Sequence, residues 1–175
     1  MYLLIMRHGK APYDINDFDR VLSPDGCCGV RNVARRLRKK MSILDKILCS
    51  PSRRTVQTAE IIHELSYPNV PLELCDDLAP GASCKVIAEK LDTLREASLL
   101  LLSHQPFVGK MTQYLTGEIV AIREAMVTCI RLDSFGLDEK LEIYVLLIFF
   151  IFKNLILYFN FLMFSLINFM ASVLY

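Results

Sequence analysis

Short apolar runs alternate with segments of helical periodicity along most of this chain, and the alternation restricts the fold more than any other feature. Chains of this kind form a sheet with helices on both faces. We therefore predict an α/β fold, a three-layer sandwich in which helices flank a mostly parallel sheet. The predicted strands are residues 2–6, 45–49, 71–75, 98–103, 125–133 and 141–148, and the predicted helices are 24–40, 54–66, 83–95 and 107–116.

Cations and imidazoles follow three of these apolar runs. Arg7, His8 and Gly9 come directly after the first, Arg54 lies shortly after the second, and His104 follows a later one. The carboxyl ends of parallel strands share one edge of a sheet, where open α/β folds bind their ligands. Two arginines and two histidines should therefore converge on one pocket, and a guanidinium matches a phosphate in a bidentate way. The pattern predicts an anion site.

The same residue types suit phosphoryl transfer. A phosphoryl group in transit spreads negative charge over its oxygens, and Arg7, Arg54 and His104 could match that charge. His8 could attack phosphorus through one unprotonated ring nitrogen. The intermediate would be a phosphohistidine on the protein, which water then hydrolyses. This scheme needs no metal and no other cofactor, because the arginines supply the positive charge.

Each residue taken alone also has a structural interpretation. His104 could be a capped loop histidine, and Arg54 a solvated arginine at a helix start. We predict that Arg53 faces solvent and that His63 is a partly exposed helix residue rather than a ligand. Ser50 and the following proline suit a helix start. The joint occurrence of the strand-end residues favours the functional interpretation.

Four ordered segments resemble the histidine phosphatase superfamily, and most closely its short SixA-type phosphohistidine phosphatases. The family's Arg-His-Gly is matched at residues 7–9, its Ser-Pro-x-x-Arg-x-x-Gln-Thr at 50–58 and its Ser-His-x-Pro at 103–106. Residues 19–26 resemble the family's Asp-x-x-Arg-Pro-Leu-x-x-x-Gly segment, although Val21 stands where proline is usual and the spacing before Arg20 differs. The resemblance covers roughly the first four fifths of the chain and implies a phosphoglycerate mutase-like fold.

The resemblance also implies roles for individual residues. His8 matches the nucleophile, Arg7 its neighbouring arginine and His104 the second histidine. The residues matching those that bind the substrate phosphate are Arg7, Arg20, Arg54 and His104. In relatives a carboxylate acts as the general acid, and Asp77 is the closest match to it. A departing imidazole is protonated more readily than an alkoxide, so a phosphohistidine substrate would depend less on this acid.

Composition limits the remaining classes. With 175 residues and a net charge of +1, we expect one domain, residues 1–150, without the basicity of a nucleic-acid-binding protein. Six cysteines without a Cys-x-x-Cys pair, and an N-terminal apolar run too short for a signal peptide, predict a cytoplasmic location. A basic cluster should form the solvated outer face of an amphipathic helix. Its members are Arg35, Arg36, Arg38, Lys39 and Lys40.

The C-terminal tail, residues 151–175, departs from the family pattern because it is almost wholly apolar. A helix over residues 155–175 would span about 30 Å, the thickness of the hydrocarbon core of a bilayer. The tail could therefore attach the protein to the inner face of a membrane. Its residues are also those of AT-rich codons, as a frameshift or a lost stop codon would produce. The sequence leaves both interpretations open.

Three functions fit these observations. The first is a phosphatase that dephosphorylates a histidine-phosphorylated protein, such as a phosphorelay domain, through a covalent phosphohistidine. The second is a phosphatase or mutase acting on small phosphate esters, which would need a competent acid near Asp77. The third is a membrane-tethered module that binds phosphate without turnover.

Overall fold

The computed structural model describes residues 1–13 and 16–132, in which helices flank a central sheet of five strands. The strand order is β3-β2-β4-β1-β5; the first four strands are parallel, and β5 runs antiparallel to β1. The strands are β1 (Tyr2–Arg7), β2 (Lys46–Cys49), β3 (Leu72–Leu74), β4 (Ser98–Ser103) and β5 (Val127–Arg131). The helices are α1 (Pro24–Lys40), α2 (Arg53–Ser66), α3 (Cys84–Thr93) and α4 (Phe107–Thr116), and Asp76–Leu78 form a 3₁₀ turn.

The start of α1 holds the segment that leaves β1. The Ser23 hydroxyl caps the helix by accepting a hydrogen bond from the Gly26 N–H at 3.0 Å, and Pro24 occupies the first turn. The Lys10 carbonyl oxygen packs against Gly26 so closely that a Cβ at that position would lie 2.1 Å from it. Only glycine therefore permits this contact between α1 and the chain that follows β1.

The sheet separates two apolar clusters, because successive residues of a strand face opposite sides. Leu4 and Met6 of β1 pack with the buried faces of α1 and α2, whereas Leu3 and Ile5 pack with those of α3 and α4. β4, in the middle of the sheet, is buried along its whole length. Each fully buried leucine contributes about 2 kcal/mol through the hydrophobic effect, so the central strands are held firmly.

The outer face of α1 confirms the prediction for its basic cluster. The five basic side chains are exposed, and the helix is buried through Val30, Val33, Ala34 and Leu37. Arg53 is likewise exposed, and His63 is half-buried with Nε2 3.0 Å from the Val70 carbonyl oxygen.

Several predicted boundaries differ from the observed ones. β5 begins at Val127 rather than at residue 125, because Ala125 has a left-handed backbone (φ 58°) and its N–H donates to the His8 carbonyl oxygen at 3.0 Å. The helix predicted at 83–95 ends at Thr93. The predicted strand at 141–148 and the tail 151–175 lie outside the described residues. Within residues 1–13 and 16–132, no helix is both long enough and apolar enough to span a membrane.

Candidate active site

The strand order brings the predicted site residues together. β1 and β4 are adjacent and parallel, with Arg7 paired to Ser103, so the next residue of each strand is a histidine at the same edge. The His8 and His104 rings lie 5.2 Å apart between centroids. Arg54 reaches them from the first turn of α2, which follows β2 on the other side of β4. The predicted convergence of Arg7, His8, Arg54 and His104 is therefore seen at the carboxyl edge of the sheet.

The His8 ring is held in one tautomer. Its Nδ1 lies 2.7 Å from the Gly9 carbonyl oxygen, and a carbonyl only accepts, so Nδ1 carries the proton. Nε2 accepts a hydrogen bond from Arg54 Nε at 3.3 Å, which assigns the lone pair to Nε2. Burial lowers the pKa of His8 to about 4, with smaller contributions from the charges of Arg54, Arg7 and Arg20, while the Gly9 hydrogen bond opposes the shift. At neutral pH the ring is an uncharged nucleophile.

His104 is the second buried imidazole of the pocket. Its Nε2 lies 2.7 Å from the Ser50 hydroxyl, which also accepts from the Ser52 N–H at 3.5 Å and so can donate its own proton to His104. When Ser50 donates, the ring proton is on Nδ1, which is buried and has no hydrogen-bond partner among the described residues. Burial, followed by the charge of Arg54, lowers the pKa of His104 to about 3. His104 is therefore an uncharged imidazole at neutral pH.

Arg54 is the most enclosed cation of the site, with 4% of the residue exposed. Its Nη1 donates to the Asp17 backbone carbonyl, its Nη2 donates to Asp17 Oδ2 at 3.0 Å, and its Nε faces His8. Burial lowers the pKa of Arg54 and the charge of Asp17 opposes that shift. An arginine stays protonated in proteins, so the pocket holds a permanent positive charge beside His8.

Arg7 and Arg20 add two further cations. Arg7 donates from Nη1 to the Ile122 carbonyl oxygen at 3.4 Å, and its Nη2 lies 3.9 Å from a Glu124 carboxylate oxygen. Arg20 Nη1 lies 3.1 Å from Asp17 Oδ1. The Nε of each arginine is buried without a hydrogen-bond partner among the described residues. A tetrahedral oxyanion would supply acceptors for such groups, since buried donors in native proteins are normally satisfied.

Asp77 lies apart from this cluster. Its carboxylate accepts a hydrogen bond from Lys90 Nζ of α3 at 2.6 Å, and this bond raises the pKa of Lys90. Among the described residues we find no hydrogen bond or ion pair from Asp77 to either imidazole or to the three arginines. The acid role of Asp77 stays a prediction.

Sequence reasoning missed three residues that organise the pocket. Ser50 bonds to His104 and does not begin the helix as its position before a proline suggested; α2 begins at Arg53, one residue before the predicted 54–66, with Ser52 at its N-cap. Thr58 accepts from the Gly9 N–H at 3.1 Å and donates to the Arg54 carbonyl oxygen at 2.7 Å. Asp17 bonds to Arg54 across 37 positions of sequence. Ser50 and Thr58 lie in the segment that carried the resemblance. Asp17 was missed because the fourth segment was aligned from Asp19, whereas the aspartate of Asp-x-x-Arg falls three residues before Arg20, at Asp17.

Comparison with known proteins identifies the family. Residues 3–80 match the histidine phosphatase superfamily (branch 1). The phosphohistidine phosphatase SixA of Escherichia coli strain K12 is 32% identical over 146 residues, which cover 80% of this chain and 88% of that protein. The chain belongs to the histidine phosphatase superfamily.

Solved structures of this superfamily show the same fold. The structure of the protein histidine phosphatase SixA complexed with tungstate is 30% identical, has a TM-score of 0.71 and is matched over 76% of this chain and 89% of that chain. A SixA from Agrobacterium tumefaciens, described as a putative phosphohistidine phosphatase, gives a TM-score of 0.68 at 18% identity, over 74% and 90% of the two chains. The predicted fold class and family are confirmed, and membership supports a phosphatase function.

Proposed function

We propose that this protein is a phosphohistidine phosphatase that removes phosphate from a histidine-phosphorylated protein through a covalent phosphohistidine at His8. The observation that carries the proposal is the state of the His8 ring. Its Nδ1 is tied to the Gly9 carbonyl, its Nε2 lone pair lies next to Arg54, and its pKa of about 4 leaves it unprotonated at neutral pH. These are the properties that a nitrogen nucleophile for phosphorus requires.

The reaction proceeds in two displacements at phosphorus. In the first, the bond from His8 Nε2 to phosphorus forms, the bond from phosphorus to the substrate nitrogen breaks, and the departing imidazole nitrogen takes a proton from solvent. In the second, a water oxygen bonds to phosphorus, the bond to Nε2 breaks and a proton is released with inorganic phosphate. Neither step needs an oxidant or a reductant.

The phosphoryl oxygens would be held by Arg7, Arg20, Arg54 and His104. Support comes from the three buried donors without partners, Arg7 Nε, Arg20 Nε and His104 Nδ1, which an oxyanion would satisfy. The SixA structure was obtained with tungstate, a tetrahedral oxyanion, and tungstate is therefore a suitable probe for this chain. Preorganised donors stabilise the charge of the transition state without reorganising, and one such donor is typically worth about 3 kcal/mol.

Two observations favour a protein phosphohistidine over a small phosphate ester. The Asp77 carboxylate is bonded to Lys90, and a carboxylate engaged with an ammonium is poorly placed to protonate an alkoxide. The turn that carries Asp17 and Arg20 also exposes two apolar side chains, Phe18 and Val21, each about half exposed. An apolar rim beside a charged pocket suits the surface of another protein.

Rapid-quench labelling tests the proposal. The full chain is mixed with a histidine-containing phosphotransfer protein carrying ³²P on its histidine, and the wild type should acquire acid-labile, base-stable label. His8→Asn should acquire none, whereas His63→Asn, which changes a histidine of α2 outside the pocket, should label normally. Turnover of small phosphate esters without turnover of the phosphoprotein would instead identify the ester phosphatase. Absence of label from the wild type would refute the covalent intermediate.

Asp77→Asn separates the two substrate classes further. We expect this variant to cleave phosphohistidine at a rate within about twofold of wild type, because the imidazole leaving group needs no dedicated acid. A loss of about a hundredfold on phosphohistidine would assign Asp77 as the acid and contradict this interpretation. Steady-state turnover of both substrates by the wild type and the variant measures the difference.

The location and the tail stay predictions. The chain is proposed to act in the cytoplasm, with attachment to a membrane through residues 151–175 as one of two interpretations of that segment. The two interpretations of the tail are tested by comparing the full chain with a chain that ends at residue 152. The measurements are turnover and binding to phospholipid vesicles. Equal turnover with vesicle binding only in the full chain would support the anchor, and equal binding of both chains would contradict it.

A further inference from the structure

Asp17, in the connection from β1 to α1, lies between Arg54 and Arg20. One carboxylate oxygen of Asp17 lies 3.0 Å from Arg54 Nη2 and the other lies 3.1 Å from Arg20 Nη1. The backbone carbonyl of Asp17 also accepts from Arg54 Nη1. One residue thus makes three contacts with two of the arginines that we assign to the phosphate.

These contacts fix which edge of the Arg54 guanidinium faces the nucleophile. A guanidinium is planar and holds five N–H donors in a rigid fork. Asp17 occupies the end formed by Nη1 and Nη2, so the edge that bears Nε is left towards His8 Nε2, 3.3 Å away. A phosphoryl group on Nε2 would meet that edge. The rotation of the guanidinium about its own side chain is therefore set from outside the pocket.

Electrostatics gives Asp17 a second effect on the same cluster. Arg7, Arg20 and Arg54 lie around two neutral imidazoles, and the charge of Arg20 acts on Arg54 in opposition to that of Asp17. A carboxylate bridging Arg20 and Arg54 lets the two like charges stay close together. The Asp17 side chain is 57% exposed, and although Arg54 is buried, its bond to the backbone carbonyl of residue 17 does not depend on the Asp17 side chain, so loss of the carboxylate should cost little folding stability. The contacts of Asp17 should therefore matter for the reaction much more than for the fold.

We propose that Asp17 is a positioning residue, which aims the Nε edge of Arg54 at the phosphoryl group on His8 and holds Arg20 beside it. This role rests on the proposed phosphohistidine chemistry at His8. Because Asp17 does not touch the reacting atoms, its removal should slow phosphoryl transfer while leaving the binding of the phosphoryl donor nearly unchanged. A misplaced catalytic group commonly costs about tenfold to a hundredfold in rate.

The test compares three variants of the full chain with wild type, using phosphoramidate as a small phosphoryl donor with a P–N bond. Asp17→Ala removes the carboxylate, and Asp17→Glu keeps it on a longer side chain. Asp19→Ala is the matched control, because it removes a carboxylate from the same exposed turn whose hydrogen-bond partner is the Asn16 side chain. The measurements are the single-turnover rate of His8 labelling against donor concentration, inhibition by tungstate, and urea unfolding.

We expect Asp17→Ala to lower the saturating rate about tenfold, with the half-saturating donor concentration within about twofold of wild type. Asp17→Glu should recover most of the rate, Asp19→Ala should match wild type, and all three should unfold at the wild-type urea concentration. If Asp17→Ala fails to fold, Asp17→Asn replaces it, since the amide keeps the size but not the charge.

Three results would overturn the positioning role. The first is an unchanged rate in Asp17→Ala, and the second is an equal loss in Asp19→Ala. The third is a faster rate with tighter tungstate inhibition, which would show that the carboxylate competes with the phosphoryl group for the arginines. Absence of label from wild type with both phosphoramidate and the ³²P-labelled phosphotransfer protein would refute the proposed function itself, and the role of Asp17 would be refuted with it.

Discussion

Acid should destabilise this protein through its two pocket histidines. In the folded chain the pKa of His8 is lowered to about 4 and that of His104 to about 3, whereas an unfolded histidine titrates near its ordinary value of about 6.5. Between these values the unfolded chain binds more protons than the folded chain. Stability is therefore fully present above the unfolded pKa and is lost as pH falls through this window.

The size of the loss of folding stability follows from the shifts of the two histidine pKa values. Lowering the pH from about 7 to about 5 protonates each histidine almost completely in the unfolded chain and very little in the folded one. The linkage relation then gives a loss of about 2 kcal/mol for each histidine. The two rings lie 5.2 Å apart and titrate as a coupled pair, so the losses of stability from the two histidines are not strictly additive.

Urea unfolding of wild type and His8→Asn at a series of pH values measures this effect. Carboxylates lose ion pairs in both proteins, so the difference between the two pH dependences isolates the histidine. Wild type should lose about 2 kcal/mol more than His8→Asn between about pH 7 and about pH 5. His104→Asn should behave in the same way, since its ring is equally buried.

An equal loss in wild type and His8→Asn would refute the reasoning. That result would mean that the folded His8 ring binds its proton as readily as an unfolded one. Burial would then not hold the ring in its neutral form, and a substantial fraction of His8 would be protonated just below neutral pH, so the case for a permanently unprotonated Nε2 would fail.

Two further predictions compare matched pairs of substitutions. Gly26→Ala should destabilise the protein by about 3 kcal/mol, because its Cβ would lie 2.1 Å from the Lys10 carbonyl oxygen, whereas Gly29→Ala on the same helix meets nothing within 4 Å and should be neutral or stabilising. Thermal unfolding distinguishes them, and equal effects would contradict the close contact. Ser50→Ala should cost about 1–3 kcal/mol and slow turnover, because it leaves a buried imidazole nitrogen unpaired, whereas Ser52→Ala removes a hydroxyl that has no partner among the described residues and should cost little. Urea unfolding with steady-state turnover checks this pair, and a larger loss in Ser52→Ala would contradict it.

Sequence reasoning reached the fold and four site residues because both follow from local patterns. Apolar runs predicted β1 and β4 to within a residue, and parallel pairing of such strands places their ends together. His8 and His104 were therefore expected as neighbours before any contact was known. A residue that directly follows a buried strand can be placed at the edge of the sheet from a single sequence.

The hydrogen bonds between distant residues that complete the site could not be predicted from local patterns. Asp17 bonds to Arg54 because the β1–α1 connection brings it back to the pocket. The periodicity of a sequence predicts helices and strands but not the path of a long connection. The start of β5 was misplaced because the left-handed backbone of Ala125 keeps that residue out of the strand, and an alanine does not indicate such a conformation in sequence. Asp77 fits a pattern of relatives, yet its bond to Lys90 depends on how α3 packs.

The single hydroxyl of Thr58 has a mechanical consequence. It joins the Gly9 amide, next to the nucleophile, to the main chain of Arg54, so the end of β1 and the first turn of α2 form one rigid unit. The distance between His8 Nε2 and the Arg54 guanidinium is then fixed by the fold before substrate binds. Asp17 in the β1–α1 connection then sets only the rotation of the Arg54 guanidinium, whereas Thr58 sets its distance from the nucleophile.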